Sequence, residues 1–314
     1  MADATVILLT YNGEKYLEET LEMLFRQIPP PAEVIAIDSG SIDRTIEILE
    51  RHRVKTEIIP NTQFSHPGTR NRAVALAKCQ HLVFLTQDAT PADSCWLRCL
   101  LEPFHRFPNV AGSFSRQVAR PDSDLLEAND LDIYFKKERW IKTMPADSQE
   151  YKKHIWHYIQ FSNASAAYDR ELLLQNPFDE GLEMAEDQEW AKRMLEKGYS
   201  IVYEPASLVL HSHNYSMRQK YSRNLSMGRS FSRFLSPQLG RRRFPLGAWT
   251  VHVLLDIRYL LRSRQPLKAK LKTVFHSPLH RAAMHLAYYK GWNSQFGAPC
   301  QVIEAKPQAQ SMKT

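Results

Sequence analysis

Acidic residues almost vanish from the last third of this chain. Residues 215–314 hold 18 Lys and Arg but two Asp and Glu, a net of +16, whereas residues 1–214 hold 23 against 32, a net of −9. Between Tyr215 and Arg281 there are fifteen basic residues and one acid, Asp256. Such asymmetry points the C-terminal part at a polyanion: anionic lipid, nucleic acid or an anionic glycan. No nucleic-acid-binding motif accompanies it, and an acidic N-terminal part would repel a long nucleic acid, so no nucleic-acid partner is expected.

Other absences narrow the chemistry. The chain has no G-x-G-x-x-G and no G-x-x-x-x-G-K-[ST], which argues against a dinucleotide-dependent oxidoreductase and a P-loop NTPase. It has no G-x-S-x-G nucleophile elbow. The four cysteines, Cys79, Cys95, Cys99 and Cys300, form no C-x-x-C pair, so thiol packing is expected in place of zinc. With the first strand beginning near Thr5 there is no room for a signal peptide before it, and a reducing, cytoplasmic compartment is expected. No apolar run reaches the roughly 18–20 residues of a membrane span. The best candidate, FPLGAWTVHVLLDIRYLL (244–261), is interrupted by His252, Asp256 and Arg258. It reads as an amphipathic helix with Trp249, Val253, Ile257 and Leu260 on one side. Arg241–Arg243 just before it suit lipid phosphates at the inner face of a membrane. The plainer alternatives are a helix packed on its own domain with a solvated basic face, or one buried in a homodimer.

What is present begins with alternating periods. TVILLTY (5–11), EVIAIDS (33–39), TEIIP (56–60) and HLVFLTQD (81–88) are apolar runs of strand length. Between them EKYLEETLEMLFRQI (14–28) places Leu17, Leu21, Leu24, Phe25 and Ile28 on one helical face. DRTIEILERH (43–52), with Ser41 or Asp43 as cap, and GTRNRAVALAKC (68–79) read as further helices. Continuous apolar strands alternating with helices predict an α/β, Rossmann-like, mostly parallel sheet covered on both faces. One large domain over 1–214 is expected, followed by a basic helical region over 215–304 and a frayed polar tail over 305–314. Residues 120–160 read as irregular, and EDQEWAKRMLEKG (186–198) as a helix with Trp190, Met194 and Leu195 inward and Gly198 as C-cap.

Ligands of such sheets sit beyond the C-terminal strand ends. The polar residues there are Thr10-Tyr11-Asn12, Asp38-Ser39-Gly40-Ser41 and Gln87-Asp88. Asp88 suits Mg²⁺ or Mn²⁺ as an oxygen ligand; otherwise it caps a helix starting near Pro91. His211 and His213 are alternate residues of a strand end, so they are expected on opposite faces, with one of them able to complete a metal site. Glu186 and Asp187 open a helix, where one carboxylate suffices for capping and the other is free to take a proton from a hydroxyl. Arg70 and Asn71 follow Gly68 at a helix start, a place to bind an anion, though a surface ion pair would equally explain Arg70.

VILLTYNGEKYLEETLEML, EVIAIDSGSIDRT, FLTQDATP, AEDQEWAKRMLEKGYSIVYEP and VLHSHNYS, in this order over about residues 4–230, resemble the GT-A, family 2 glycosyltransferases, most closely the bacterial rhamnosyltransferases of O-antigen and cell-surface polysaccharide synthesis. The resemblance implies that Thr10, Tyr11 and Asn12 line a nucleotide pocket, that Asp38 bonds the pyrimidine with Ser41 beside it, and that Arg70 and Asn71 approach the diphosphate. It implies that Gln87-Asp88 stand at the family's Asp-x-Asp metal motif, with one Asp where many relatives have two. Asp187 of the Glu186–Asp187 pair becomes the base, and His211 a further ligand to Mg²⁺ or Mn²⁺. His213 is the less certain second histidine. Implied too are a nucleotide-sugar donor, dTDP-L-rhamnose, a glycan or lipid-linked acceptor, and inverting displacement. Two other functions compete: a sugar-nucleotide nucleotidyltransferase, against which stands the single Gly and absent Arg of TYNGEKY, and a polyanion-binding module.

Overall fold

The computed structural model describes residues 2–296. Cys300 and the tail 305–314 lie outside them. In chain order the elements are β1 (Ala2–Thr10), α1 (Glu14–Phe25), β2 (Pro31–Asp38), α2 (Thr45–Arg51), β3 (Lys55–Ile58), α3 (His66–Leu76), β4 (His81–Thr86), β5 (Thr90–Pro91), α4 (Trp96–Arg106) and β6 (Val110–Val118). There follow α5 (Leu125–Tyr134), β7 (Trp140–Lys142), α6 (Ser148–Lys153), α7 (Ile155–Ile159), β8 (Ser165–Asp169), α8 (Arg170–Gln175), α9 (Glu186–Glu196), β9 (Ser200–Leu210), α10 (Met217–Leu239), α11 (Leu246–Arg262) and α12 (Leu267–Asn293).

The strands make one sheet in the order β3-β2-β1-β4-β8-β6-β9-β5, with β7 also paired to β9. Its first four strands are parallel, as continuous apolar runs require. Alternate residues of each strand feed two cores. Ile7, Ile35, Ile37 and Phe84 enter one, and Val6, Leu8, Ala36, Val83 and Leu85 the other. The second half is mixed: β8 runs antiparallel between β4 and β6, and β5 and β7 run antiparallel to β9. The result is a GT-A-like sheet, mostly parallel, flanked by helices.

Local details depart from the sequence pattern. Helix α1 buries Leu17, Leu21 and Leu24, but Phe25 and Ile28 are exposed, because the helix ends at Phe25 and the chain turns away before the next periodic position. Phe25 stacks instead on His52. Residues 120–160 are not irregular: they fold into α5, β7, α6 and α7. Asp43, not Ser41, serves the start of α2, accepting from Thr45 N at 3.0 Å. Trp190, Met194 and Leu195 are fully buried and Gly198 closes α9 with φ +86°, as expected.

Helices α10 and α12 pack at close range. Gly228 and Gly291 permit this: a Cβ on either would lie 2.0 Å from a backbone oxygen of the facing helix, that of Tyr288 or Leu225. Beside this crossing, Phe231, Leu235 and Trp292 join Tyr151, Ile155 and Ile159 in a third core.

Candidate active site

The tips of β1, β2 and β4 are fastened together. Thr10 Oγ1 and Ser41 Oγ donate to Asp38 Oδ2 at 2.8 and 2.6 Å, while the Gly40 and Ser41 amides donate to Oδ1 at 2.9 and 2.8 Å. The buried Asp38 carboxylate therefore accepts four bonds, about its full capacity. Asn12, at φ +46°, donates its amide to Ser41 Oγ and accepts from Ile42 N. Gln87 clips the Tyr11 backbone, accepting from its N–H at 2.9 Å and donating to its carbonyl at 3.0 Å. Gly13 makes room for that amide: a Cβ there would stand 2.4 Å from Gln87 Oε1. The Tyr11 side chain stays exposed above this floor.

Asp88 leaves the end of β4 and does not cap a helix, since Thr90 and Pro91 pair with β9 and α4 starts at Trp96. His211 and His213 do not diverge. Strand β9 ends at Leu210, so strand alternation no longer governs His213, and both rings turn to Asp88. His211 Nε2 lies 3.5 Å from Oδ1 and His213 Nδ1 3.3 Å from Oδ2. Burial alone would raise the Asp88 pKa, but positive charge on the two imidazole sites facing it, when they are protonated, would hold it far below the ordinary carboxylate range.

His211 carries the test of whether this cluster fits a cation. Gln117 Nε2 donates to Ser162 Oγ at 2.8 Å, which leaves Gln117 Oε1 to accept from His211 Nδ1 at 2.8 Å. With its proton on Nδ1, the ring aims the Nε2 lone pair at Asp88, and that buried atom has no hydrogen-bond partner. One ligand atom from each of Asp88, His211 and His213 lies within 4.8 Å of the others. Two imidazoles and a carboxylate suit a divalent ion such as Mn²⁺, and suit Mg²⁺ less well. Gln87, its amide spent on Tyr11, adds no ligand.

The carboxylate pair sits at the start of α9, after Ala185 at φ +61°. Glu186 is buried and accepts from Arg70 Nη1 at 2.5 Å and from Asn163 Nδ2 at 3.1 Å. Asp187 accepts from the amides of Asn163 and Gln188, each at 2.8 Å. Burial, then the charge of Glu186, pushes the Asp187 pKa up to about 7. Arg70 is thus a buried ion-pair partner, not a surface one. Asn71 braces the segment before α9, exchanging bonds with the Phe178 backbone and reaching Glu180. A role for either at a diphosphate requires these bonds to open.

Three residues that motif reading missed hold the parts together. Asn163 spans Glu186 and Asp187. Gln117, with Ser162 next in chain to Asn163, leads from there to His211. Arg120 donates to the Asp88 carbonyl at 3.1 Å, Thr90 Oγ1 at 2.6 Å and Glu19 at 3.0 Å, with its guanidinium 4.0 Å from the Tyr16 ring centre. Each stands in a short stretch with other polar residues and no fixed spacing, a signal too common to identify it in advance. The backbone closes the same circuit: Thr86 N donates to Ala164 O at 3.1 Å.

A curled, mostly parallel sheet whose strand tips meet a cluster of potential metal ligands and a carboxylate of raised pKa has the arrangement of a GT-A type enzyme. The model of Glycosyl transferase family 2 matches residues 5–173, and the chain belongs to that family: it is a glycosyltransferase. The O-antigen chain rhamnosyltransferase WbaN of Salmonella anatum is 33% identical over 231 residues, 73% of this chain and 72% of that protein. RfbN of Salmonella typhimurium, another O-antigen chain rhamnosyltransferase, is 31% identical over 227 residues, 71% of each. Among solved structures, the mannosyltransferase PcManGT of Pyrobaculum calidifontis, in complex with GDP-Man and Mn²⁺, superposes with a TM-score of 0.58 at 18% identity, covering 93% of this chain and 88% of that one. Glucosyl-3-phosphoglycerate synthase of Mycobacterium tuberculosis, with Mn²⁺, UDP and phosphoglyceric acid, gives 0.55 at 15% identity, over 74% and 77%. These last two establish the fold.

Proposed function

We propose that this glycosyltransferase moves L-rhamnose from dTDP-L-rhamnose to a hydroxyl of a glycan carried on a lipid diphosphate, with inversion at the anomeric carbon. The rhamnosyltransferase relatives support the sugar class. The observation that carries the mechanism is the hydrogen-bonded circuit that holds a carboxylate of pKa about 7 beside a cation cluster.

Asp88, His211 and His213 are the residues that would hold Mn²⁺ or Mg²⁺. The ion, when bound, supplies positive charge against the leaving diphosphate. Thr10, Tyr11, Asn12, Asp38 and Ser41 would frame the nucleotide, with the exposed Tyr11 ring available to it and the Asp38 network keeping the loop in shape. Arg70 and Asn71 act through the carboxylates they brace. Asp187 takes the acceptor proton as the acceptor oxygen bonds the anomeric carbon and the bond to phosphate breaks, its electron pair leaving on the nucleoside diphosphate. A base whose pKa lies near the operating pH is suited to this transfer. Asn163 and Gln188 orient the carboxylate, and Glu186 raises its basicity. The lipid-linked acceptor would bring the enzyme to the membrane face, where its basic C-terminal region belongs.

Incubation of the purified protein with Mn²⁺, a lipid-linked glycan and, in turn, dTDP-L-rhamnose, GDP-mannose and UDP-glucose tests the reading. The expected result is release of dTDP and a product of anomeric configuration opposite to the donor's. In Asp187→Asn, turnover should fall about 10²–10⁴-fold, the usual worth of a general base, with donor affinity within a few fold. A product of retained configuration, or an active Asp187→Asn, would sink the mechanism.

A further inference from the structure

Helices α11 and α12 leave large apolar side chains in solvent. Leu261, Phe275 and Leu279 are 77%, 78% and 75% exposed, far beyond what scattered surface residues need. They are arranged in rows. On α11, Val251, Leu254, Arg258 and Leu261 follow at intervals of three and four, all exposed. On α12, Leu267, Leu271, Phe275 and Leu279 follow at intervals of four, all exposed. Arg258, Arg262, Arg264, Lys268 and Lys272 are interleaved with them and exposed too. The opposite faces are already used: α11 buries Asp256 and Leu260, and α12 buries Ser277, Arg281, Met284 and Ala287.

Charge decides the occupant. Asp256 is the sole acid of the two helices, and it is fully buried, accepting from Arg281 Nε and Nη2 at 2.8 and 2.7 Å and from Asn129 Nδ2 at 2.8 Å. A symmetric dimer through this face would set cation against cation with no exposed acid on either helix to offset them. Nucleic acid would pair the cations but leave the leucines and phenylalanine wet. An anionic bilayer takes both, apolar groups entering the acyl boundary and Lys and Arg staying at the headgroups. No described helix is long and apolar enough to cross a membrane, so this contact lies on the surface.

We propose that the α11–α12 hairpin docks the protein on an anionic lipid surface through the row Val251, Leu254 and Leu261 and the row Leu271, Phe275 and Leu279. This rests on the lipid-linked acceptor reading for its purpose, but its test uses no transfer. The full chain is sedimented with vesicles of phosphatidylcholine alone or mixed with phosphatidylglycerol, at low and high salt. Binding is expected to the mixed vesicles, weakened by salt. It should fall at least tenfold in Leu261→Ser/Phe275→Ser, and roughly fivefold for each charge removed in Arg258→Ser/Lys268→Ser. All four positions are exposed, and unchanged melting temperatures verify the fold of the variants. Equal binding to both vesicle types, variants that bind like the parent, a concentration-dependent dimer abolished by Phe275→Ser, or retention on DNA in place of vesicles would each overturn the proposal. Turnover of a soluble acceptor by the same variants reports on the transfer reading separately.

Discussion

Asp187 should be costly for folding in the same measure as it is useful for catalysis, and the two can be read from one variant. Its pKa rises from an unfolded value near 3.9 to about 7 because burial and Glu186 oppose its charge. An acid with a raised folded pKa binds more protons in the folded state. Stability is therefore complete below about pH 4 and is lost as pH climbs toward 7. Integrating between pH 5 and pH 8 gives a loss of roughly 2–3 kcal/mol from this group alone. The neutral amide of Asp187→Asn has no such charge. It gives up a bond from Asn163 N or Gln188 N, but that penalty of about 1 kcal/mol is the same at both pH values. The stability of Asp187→Asn relative to the parent should therefore improve by about 2–3 kcal/mol from pH 5 to pH 8, measured by urea unfolding of the metal-free protein. The parent's kcat/KM should rise about tenfold from pH 6 to pH 8 as the ionised fraction grows from about a tenth to nine tenths. Parallel stability curves for the two proteins across that range, with a flat rate profile, would refute both the raised pKa and the base assignment.

Three further outcomes follow from the contacts. Gln117→Leu removes the acceptor that fixes the His211 ring, and Mn²⁺ affinity by calorimetry should drop about 10–100-fold, with an unchanged constant counting against the tautomer argument. Arg70→Met strands the buried Glu186 and should cost about 3–5 kcal/mol in urea unfolding, whereas Arg70→Met/Glu186→Gln should be more stable than either single variant; additive losses would contradict this. Gly228→Ala drives a methyl into the Tyr288 carbonyl and should cost about 1–3 kcal/mol, lowering the melting temperature by several degrees, and an unchanged transition would show that the crossing is looser than described.

The parallel half of the sheet was legible because burial on both faces leaves no alternative to continuous apolar strands. Its three polar tips were legible for the same reason, each being the first residues that the core releases. The insertion of β8 antiparallel between β4 and β6 was not, since SAAYD carries no mark of its neighbours. Nor was the meeting of His211 and His213. A period of two holds only while the ladder lasts, and its last bond is from His211 N to Val118 O, so it does not govern His213. Arg70 read as an anion binder or a surface ion-pair partner, and its buried pairing was not legible because Glu186 lies 116 positions away. Glu186 and Asp187 were visible as a pair, but their division of labour depends on Arg70, which pairs with Glu186, and on burial, which together with Glu186 raises the Asp187 pKa.

The Asp88–His211–His213 cluster and the α11–α12 hairpin are linked through one chain of contacts. His213 stacks on Tyr215, which lies under Arg223 of α10. Asn214, between them in sequence, accepts from Asp124 N at 3.2 Å and donates to the Asp122 carbonyl at 3.1 Å. Asp124 caps α5 and pairs with Lys220 of α10 at 2.7 Å. From α5, Asn129 and Asp130 reach Asp256 of α11 and Arg281 of α12, and burial with these partners makes the network expensive to break. The route from the His211–Asn214 loop to α11 and α12 thus runs through neutral amide–backbone bonds at Asn214 and then through charge-assisted contacts at Lys220, Asp256 and Arg281. A membrane that fixes the hairpin also fixes the height and tilt of the cluster above the lipid surface. For the proposed lipid-linked acceptor, held at one depth by its carrier, such a connection would matter, because the reacting hydroxyl needs placement within about half an ångström and a few tens of degrees.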